Sequence, residues 1–134
     1  MNLLLDTHIF LWLINDHPSL SEKLGCEIKN PENRILLSIV STWECVIKYQ
    51  LNKPEFNTYF PESPDVYIPQ KRRESLINSL AINEATMSYL IALPLLHRDP
   101  FDRLLIAQCL QYDLVMATVD DAILGYPNVK FFEL

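Results

Sequence analysis

The stretch "HRDPFDRLLIAQ", residues 97–108, governs how this chain is read. Arg98, Asp99, Asp102 and Arg103 stand directly against the apolar run that starts at Leu104. Charged residues avoid such company unless they are paired or used. Pro100 occupies the favoured first position of a helix, and Asp102 follows Asp99 by three residues. The spacing predicts a strong helix over "PFDRLLIAQCLQY" with an acid in its first turn.

Working outward, apolar runs alternate with helical patterns. "NLLLD" reads as a buried strand ending in a carboxylate, followed by a helix in "HIFLWLIND". "SLSEKLGCEIKN" is an amphipathic helix stopped by Pro31, "NRILLSIV" a second buried strand, and "STWECVIKYQLN" a helix opened at Ser41. The proline- and aromatic-rich segment "KPEFNTYFPESPDVYIP" reads as a loop or excursion. A polar-faced helix follows from Pro69 through "QKRRESLINS", then a short strand at "LAI" and a helix opened by Asn83. "DLVMATV" and "NVKFFEL" are the last two strands. Strands alternating with helices predict an α/β fold, a mainly parallel sheet flanked on both faces by helices, in one domain spanning residues 1–134.

Composition excludes several classes. With 49% hydrophobic residues the chain can bury a core, and no apolar stretch is long enough to cross a bilayer. The opening "MNLLLDTH" lacks the basic start of a signal peptide, so a cytoplasmic location is expected. Cys26, Cys45 and Cys109 form no CxxC pair and read as buried free thiols in a reducing compartment. The two glycines build no phosphate loop. A net charge of −6 argues against a general nucleic-acid coat, so on nucleic acid the acids would need a specific task.

Four acids fall where a parallel α/β sheet binds ligands, beyond the carboxyl ends of its strands. Asp6 ends the first strand and Asp120 follows "LVMAT"; Glu44 in "STWE" and Asp102 in "DPFD" sit in first turns of helices. Each has an ordinary explanation as a cap or a turn residue. Capping does not require four acids to face one crevice.

The ordered segments "LLLDTH", "STWE", "HRDPFDRLLIAQ" and "MATVDD" resemble the PIN-domain ribonucleases, specifically the VapC-type toxins of type II toxin–antitoxin pairs. The resemblance covers nearly the whole chain except residues 53–67, and "HRDPFDRLLIAQ" is its most specific segment. It implies a three-layer α/β/α PIN fold in which Asp6, Glu44, Asp102 and Asp120 form the acidic catalytic quartet and Thr118 supports it. It further implies an RNA substrate, a cognate antitoxin and a symmetric homodimer. Val119 departs from the family, which often carries a polar residue there.

Carboxylates without cysteine or clustered histidine select a hard ion, Mg²⁺ or Mn²⁺. Asp6, Asp102 and Asp120 are the expected ligands, with Glu44 ligating or orienting the attacking water. Arg98 and Arg103 either contact backbone phosphate or pair with the acids. Lys48 follows Glu44 by four residues, a favourable helical ion pair. Lys71, Arg72 and Arg73 read as a solvated helix face, and no metal-ligand spacing joins His8, His17 and His97. Phe10, Trp12 and Trp43 suggest core or partner-interface surface. Two other readings compete: a catalytically idle PIN module, and a receiver-like phosphoacceptor domain. The receiver reading wants paired acids after the first strand and a lysine after a late one, and this chain has neither.

Overall fold

The computed structural model describes residues 1–134. Five strands, β1 (Asn2–Leu5), β2 (Arg34–Ser38), β3 (Asn78–Leu80), β4 (Val115–Ala117) and β5 (Lys130–Phe131), form one parallel sheet in the order β3-β2-β1-β4-β5. The intervening helices are α1 (Thr7–Ile14), α2 (Glu22–Lys29), α3 (Ile39–Gln50), α4 (Pro54–Asn57), α5 (Pro64–Glu74), α6 (Glu84–Ile91), α7 (Pro100–Tyr112) and α8 (Asp121–Leu124). The mainly parallel sheet flanked on both faces by helices, expected from the alternation, is observed, with all five strands parallel. The receiver-like alternative fails here, because doubly wound receivers order their strands 2-1-3-4-5.

The three central strands, β2, β1 and β4, are apolar on both faces because both faces are covered. Leu3, Leu5, Ile35 and Leu37 point to one side, where Ile9, Phe10, Leu24 and Ile28 of α1 and α2 close over them. Leu4, Leu36 and Met116 point to the other, against Leu105 and Cys109 of α7. Burying each such leucine contributes roughly 1.5–3 kcal/mol. Asp99 caps α7, accepting hydrogen bonds from the backbone N–H groups of Phe101 (2.8 Å) and Asp102 (3.3 Å). Asp113 ends that helix in the left-handed region (φ 54°).

Several boundaries differ from the sequence reading. The second strand stops at Ser38, which caps α3 by accepting from the Val40 N–H (3.0 Å), so Ser41 and Glu44 lie inside the helix rather than at its cap. The excursion over residues 53–67 holds α4 and the start of α5. Its aromatic residues pack on one another and on α3, with Phe56–Phe60 and Tyr49–Phe60 ring centres 5.3 and 6.1 Å apart, and Phe60 is buried. Helix α5 enters at Pro64 and carries Pro69 inside it, where the missing N–H forgoes one helical bond. Strand β3 lies at Asn78–Leu80, sharing only Leu80 with "LAI", and α8 is a short helix beyond those expected. Cys26 is exposed, unlike Cys45 and Cys109.

Candidate active site

The chain reverses its winding at β1. Connections run one way from β1 through β2 to β3, then cross back to β4 and β5, so the crevice beyond β1 and β4 is the topological switch point. The Asp6 N–H donates to the Ala117 carbonyl (2.9 Å), which binds the two strand ends together. There the structure opens a cleft of about 300 Å³ lined by Asp6, Glu44, Asp102 and Asp120, together with Lys48, Asp99, His8, Trp12 and Val119. The four acids singled out from the sequence therefore share one cleft.

Each acid is held differently. Asp6 is the N-cap of α1: Oδ1 accepts from the Thr7 N–H (2.7 Å), and Oδ2 accepts from the Thr118 hydroxyl (2.8 Å). Burial raises its pKa, assisted by the charge of Glu44, against the pull of the Thr118 and Thr7 hydrogen bonds and of His8. Thr118 Oγ1 also accepts from the Asp120 N–H (3.0 Å), so one hydroxyl joins two of the acids. Asp120 caps α8, accepting from the Ala122 N–H (2.9 Å).

Glu44 is buried in the second turn of α3, which rules out a capping explanation for it. Its Oε1 accepts from the Thr7 hydroxyl (2.8 Å), which in turn takes a hydrogen from Ser41 (2.9 Å). Its Oε2 pairs with Lys48 Nζ (2.7 Å). Burial works against the Lys48 charge, but the bond and attraction to Glu44 outweigh it, with Cys45 and Asp99 adding, and its pKa rises.

Asp102 is 7% exposed and does not cap its helix, because Asp99 does. Its Oδ2 lies 2.8 Å from His97 Nε2; opposite an ionised carboxylate that nitrogen carries the hydrogen and donates it. Burial pushes the Asp102 carboxyl up to about 6; the His97 bond opposes this, and Asp99, Asp6 and Glu44 add to it. His97 is fixed in turn, since its backbone N–H donates to Tyr126 Oη (3.1 Å), which also accepts from Arg103 (2.9 Å).

This places His97 beside the site, although no metal-ligand spacing in the sequence joins the three histidines. Ligand atoms of His97, Asp102 and Asp120 lie within 4.8 Å of one another, while Asp6 and Glu44 border the same cleft outside that group. The signal was local: His97 immediately precedes the "RDPFD" turn. Of the two roles expected of the arginines, pairing with the acids is not observed for either. Arg103 donates to the carbonyls of Pro94 (2.9 Å) and Leu90 (3.5 Å) besides Tyr126, which ties the α6–α7 loop down. Arg98 borders a separate apolar groove and makes no ion pair with the acids. In the basic run, Lys71 pairs with Glu74 (3.3 Å) and Arg72 donates to the Ile77 carbonyl (2.9 Å), so the run sits on the surface of α5. Phe10 is buried, whereas Trp43 is 49% exposed and packs edge-on to Phe101.

The donor set of carboxylates with one imidazole at its side suits a hard divalent cation, for which Asp102 and Asp120, bordered by Asp6, are the available ligands. With Nε2 committed to Asp102, His97 orients a ligand rather than serving as one.

The fold has solved relatives. VapBC2 from Rickettsia felis, bound to a DNA fragment from its promoter, aligns with a TM-score of 0.67 at 19% identity, covering 98% of each chain. VapBC-1 from nontypeable Haemophilus influenzae aligns at 0.63 and 16% identity, over 99% of this chain and 98% of that one. FitAB bound to an IR36 DNA fragment aligns at 0.62 and 16% identity, over 97% and 93%. No curated protein sequence gives a significant match. The family model described as PIN domain matches residues 3–128, nearly the full length, and the chain belongs to the PIN domain family.

Proposed function

We propose that this protein is a metal-dependent endoribonuclease, the toxin of a type II toxin–antitoxin pair, acting in the cytoplasm. The observation that carries the reading is the convergence of Asp6, Glu44, Asp102 and Asp120 in one cleft at the switch point of a PIN fold. Clustered buried carboxylates are costly, and capping accounts for neither Glu44 nor Asp102. That cost also argues against a catalytically idle module.

Asp102, Asp120 and Asp6 would hold Mg²⁺ or Mn²⁺. Such an ion would neutralise the acids, polarise a phosphoryl oxygen and acidify water. The remaining work belongs to the chain. His97 orients Asp102, and Thr118 holds Asp6 and the Asp120 backbone in register. Glu44, its Oε1 fixed by Thr7, orients the water that attacks the RNA phosphodiester and takes its proton.

The cognate antitoxin lays a segment across the cleft and presents a basic side chain to the acids. The VapBC and FitAB relatives, named for their assemblies, support such a partner. A homodimer forms through apolar surface on α6 and the α6–α7 loop, where Met87, Ile91, Leu95 and Leu96 are exposed, and not through Phe10. The decisive experiment is controlled induction followed by sequencing of RNA 5′ ends, with purified protein tested on RNA in Mg²⁺, Mn²⁺ and EDTA. Discrete new 5′ ends and loss of cleavage in EDTA are expected. Cleavage that survives thorough chelation overturns the metal mechanism, and intact RNA in every condition overturns the nuclease reading.

A further inference from the structure

The cleft holds one permanent cation. Asp6, Glu44, Asp99, Asp102 and Asp120 line it, and Lys48 alone brings a fixed positive charge. The arginines that the sequence suggested for phosphate contact are elsewhere. Arg103 is spent on two carbonyls and a tyrosine, and Arg98 faces a different groove.

Lys48 is built for another task besides pairing with Glu44. It stands one helical turn after Glu44, with Nζ 2.7 Å from Oε2. The same Nζ sits 5.7 Å from the centre of the Phe56 ring, a cation–π distance. The carboxylate uses one of three ammonium hydrogens. The side chain is 37% exposed, so donors remain open to the cleft. A phosphodiester entering among these five carboxylates meets one permanent counter-charge, at Lys48. An ion held by the acids offsets part of their charge, and the flanking backbone still needs a counter-charge.

Resting on the endoribonuclease reading, we infer that Lys48 anchors a backbone phosphate of the RNA substrate while holding Glu44 in place. Phe56 then gives the excursion over residues 53–67 a role: the ring of α4 fixes the direction of the ammonium.

The test is binding of a single-stranded RNA oligonucleotide in an Asp102→Asn background that prevents cleavage, titrated with NaCl at fixed Mg²⁺. Lys48→Gln keeps a donor for Glu44 but loses the charge. It should weaken binding by roughly three- to tenfold and lower the slope of log K against log salt by about 0.7, the value for one phosphate contact on a single strand. Lys48→Arg should restore the slope. In the otherwise wild-type enzyme, Lys48→Gln should raise KM more than it lowers kcat. A residue that only supported Glu44 would change the melting temperature and kcat and leave the slope alone. Should Lys48→Gln fold poorly, Glu44→Gln compared with Glu44→Gln/Lys48→Gln gives the same reading, because the amides can pair without either charge. An unchanged slope and affinity, alongside metal-dependent cleavage by the wild type, overturns the Lys48 assignment and leaves the nuclease standing. A wild type that neither binds nor cuts RNA overturns both.

Discussion

Replacing Asp102 by Asn separates a carboxylate kept for chemistry from one kept for stability. The folded protein holds this carboxyl at about 6 against an ordinary value of 3.8. Because the folded pKa is the higher one, this group favours folding fully below pH 3.8, and the advantage is lost as pH rises through 6. Above that, carrying the charge in the fold costs on the order of 3 kcal/mol, two pKa units at about 1.36 kcal/mol each. Asn removes this cost. The bond to His97 Nε2 is already within that figure, and Asn gives up about 0.5 kcal/mol of helix-dipole attraction. It keeps the helix cap, which is Asp99. The net is a stabilisation of roughly 2–2.5 kcal/mol in EDTA at neutral pH, a rise in melting temperature of about 6–10 °C for a domain of this size. The charge part of the gain should fall by about half at pH 5 and nearly vanish at pH 4. Added Mg²⁺ should stabilise the wild type by about 2.7 kcal/mol at a hundredfold excess over Kd and the variant by less, and the variant should cut no RNA. Differential scanning calorimetry across pH, with Mg²⁺ and with EDTA, reads the stability changes, and incubation with RNA followed by gel electrophoresis reads the cleavage. A variant that melts lower than wild type in EDTA at neutral pH and still cleaves RNA refutes the shared acidic cleft.

Three further outcomes are expected. Thr118→Val leaves the buried Asp6 Oδ2 without its partner; it should cost about 1–3 kcal/mol in urea denaturation and raise the Asp6 pKa further, read by NMR titration of its carboxyl carbon. Arg103→Met removes the donor to the Pro94 carbonyl and one of the two donors to Tyr126 Oη; it should lower stability by about 1 kcal/mol and leave the salt slope of RNA binding unchanged, because the side chain faces the α6–α7 loop. Burial, with Glu44 nearby, pushes the Cys45 thiol up to about 12, and burial raises Cys109 still more. Only the exposed Cys26 should therefore react with a thiol reagent in the native protein at pH 8, and detection of more than one fast thiol per chain would contradict the packing.

Much of this molecule is legible because its signals are local. "NLLL", "RILLS" and "VMA" announce buried parallel strands by unbroken apolar runs, and "DPFDRLLIAQCLQY" announces a helix through a cap, a proline and a period. Strand β3 was misplaced because it lies at the sheet edge with exposed Asn78 and Ser79, so no apolar run marks it and only its pairing with β2 defines it. The start of α3 was misjudged because Ser38 and Ser41 both suit a cap; Ser38 wins by closing on Val40 while also donating to Gln108, 70 residues away.

For the site, four acids at the ends of apolar elements were enough to name Asp6, Glu44, Asp102 and Asp120, because in a parallel sheet such ends converge whatever the loops between them do. Of their partners, Lys48 is legible from its four-residue spacing to Glu44 and Thr118 from the family resemblance, but the individual hydrogen bonds are not. Thr118 meets Asp6 across 112 positions, Thr7 meets Glu44 across 37, and Arg103 turns to Tyr126 instead of the acids. Residue type and spacing determine which groups can stand at a strand or helix end. Which hydrogen bond each then makes depends on where the crossovers bring distant segments, because a side-chain bond forms or fails over a few tenths of an ångström.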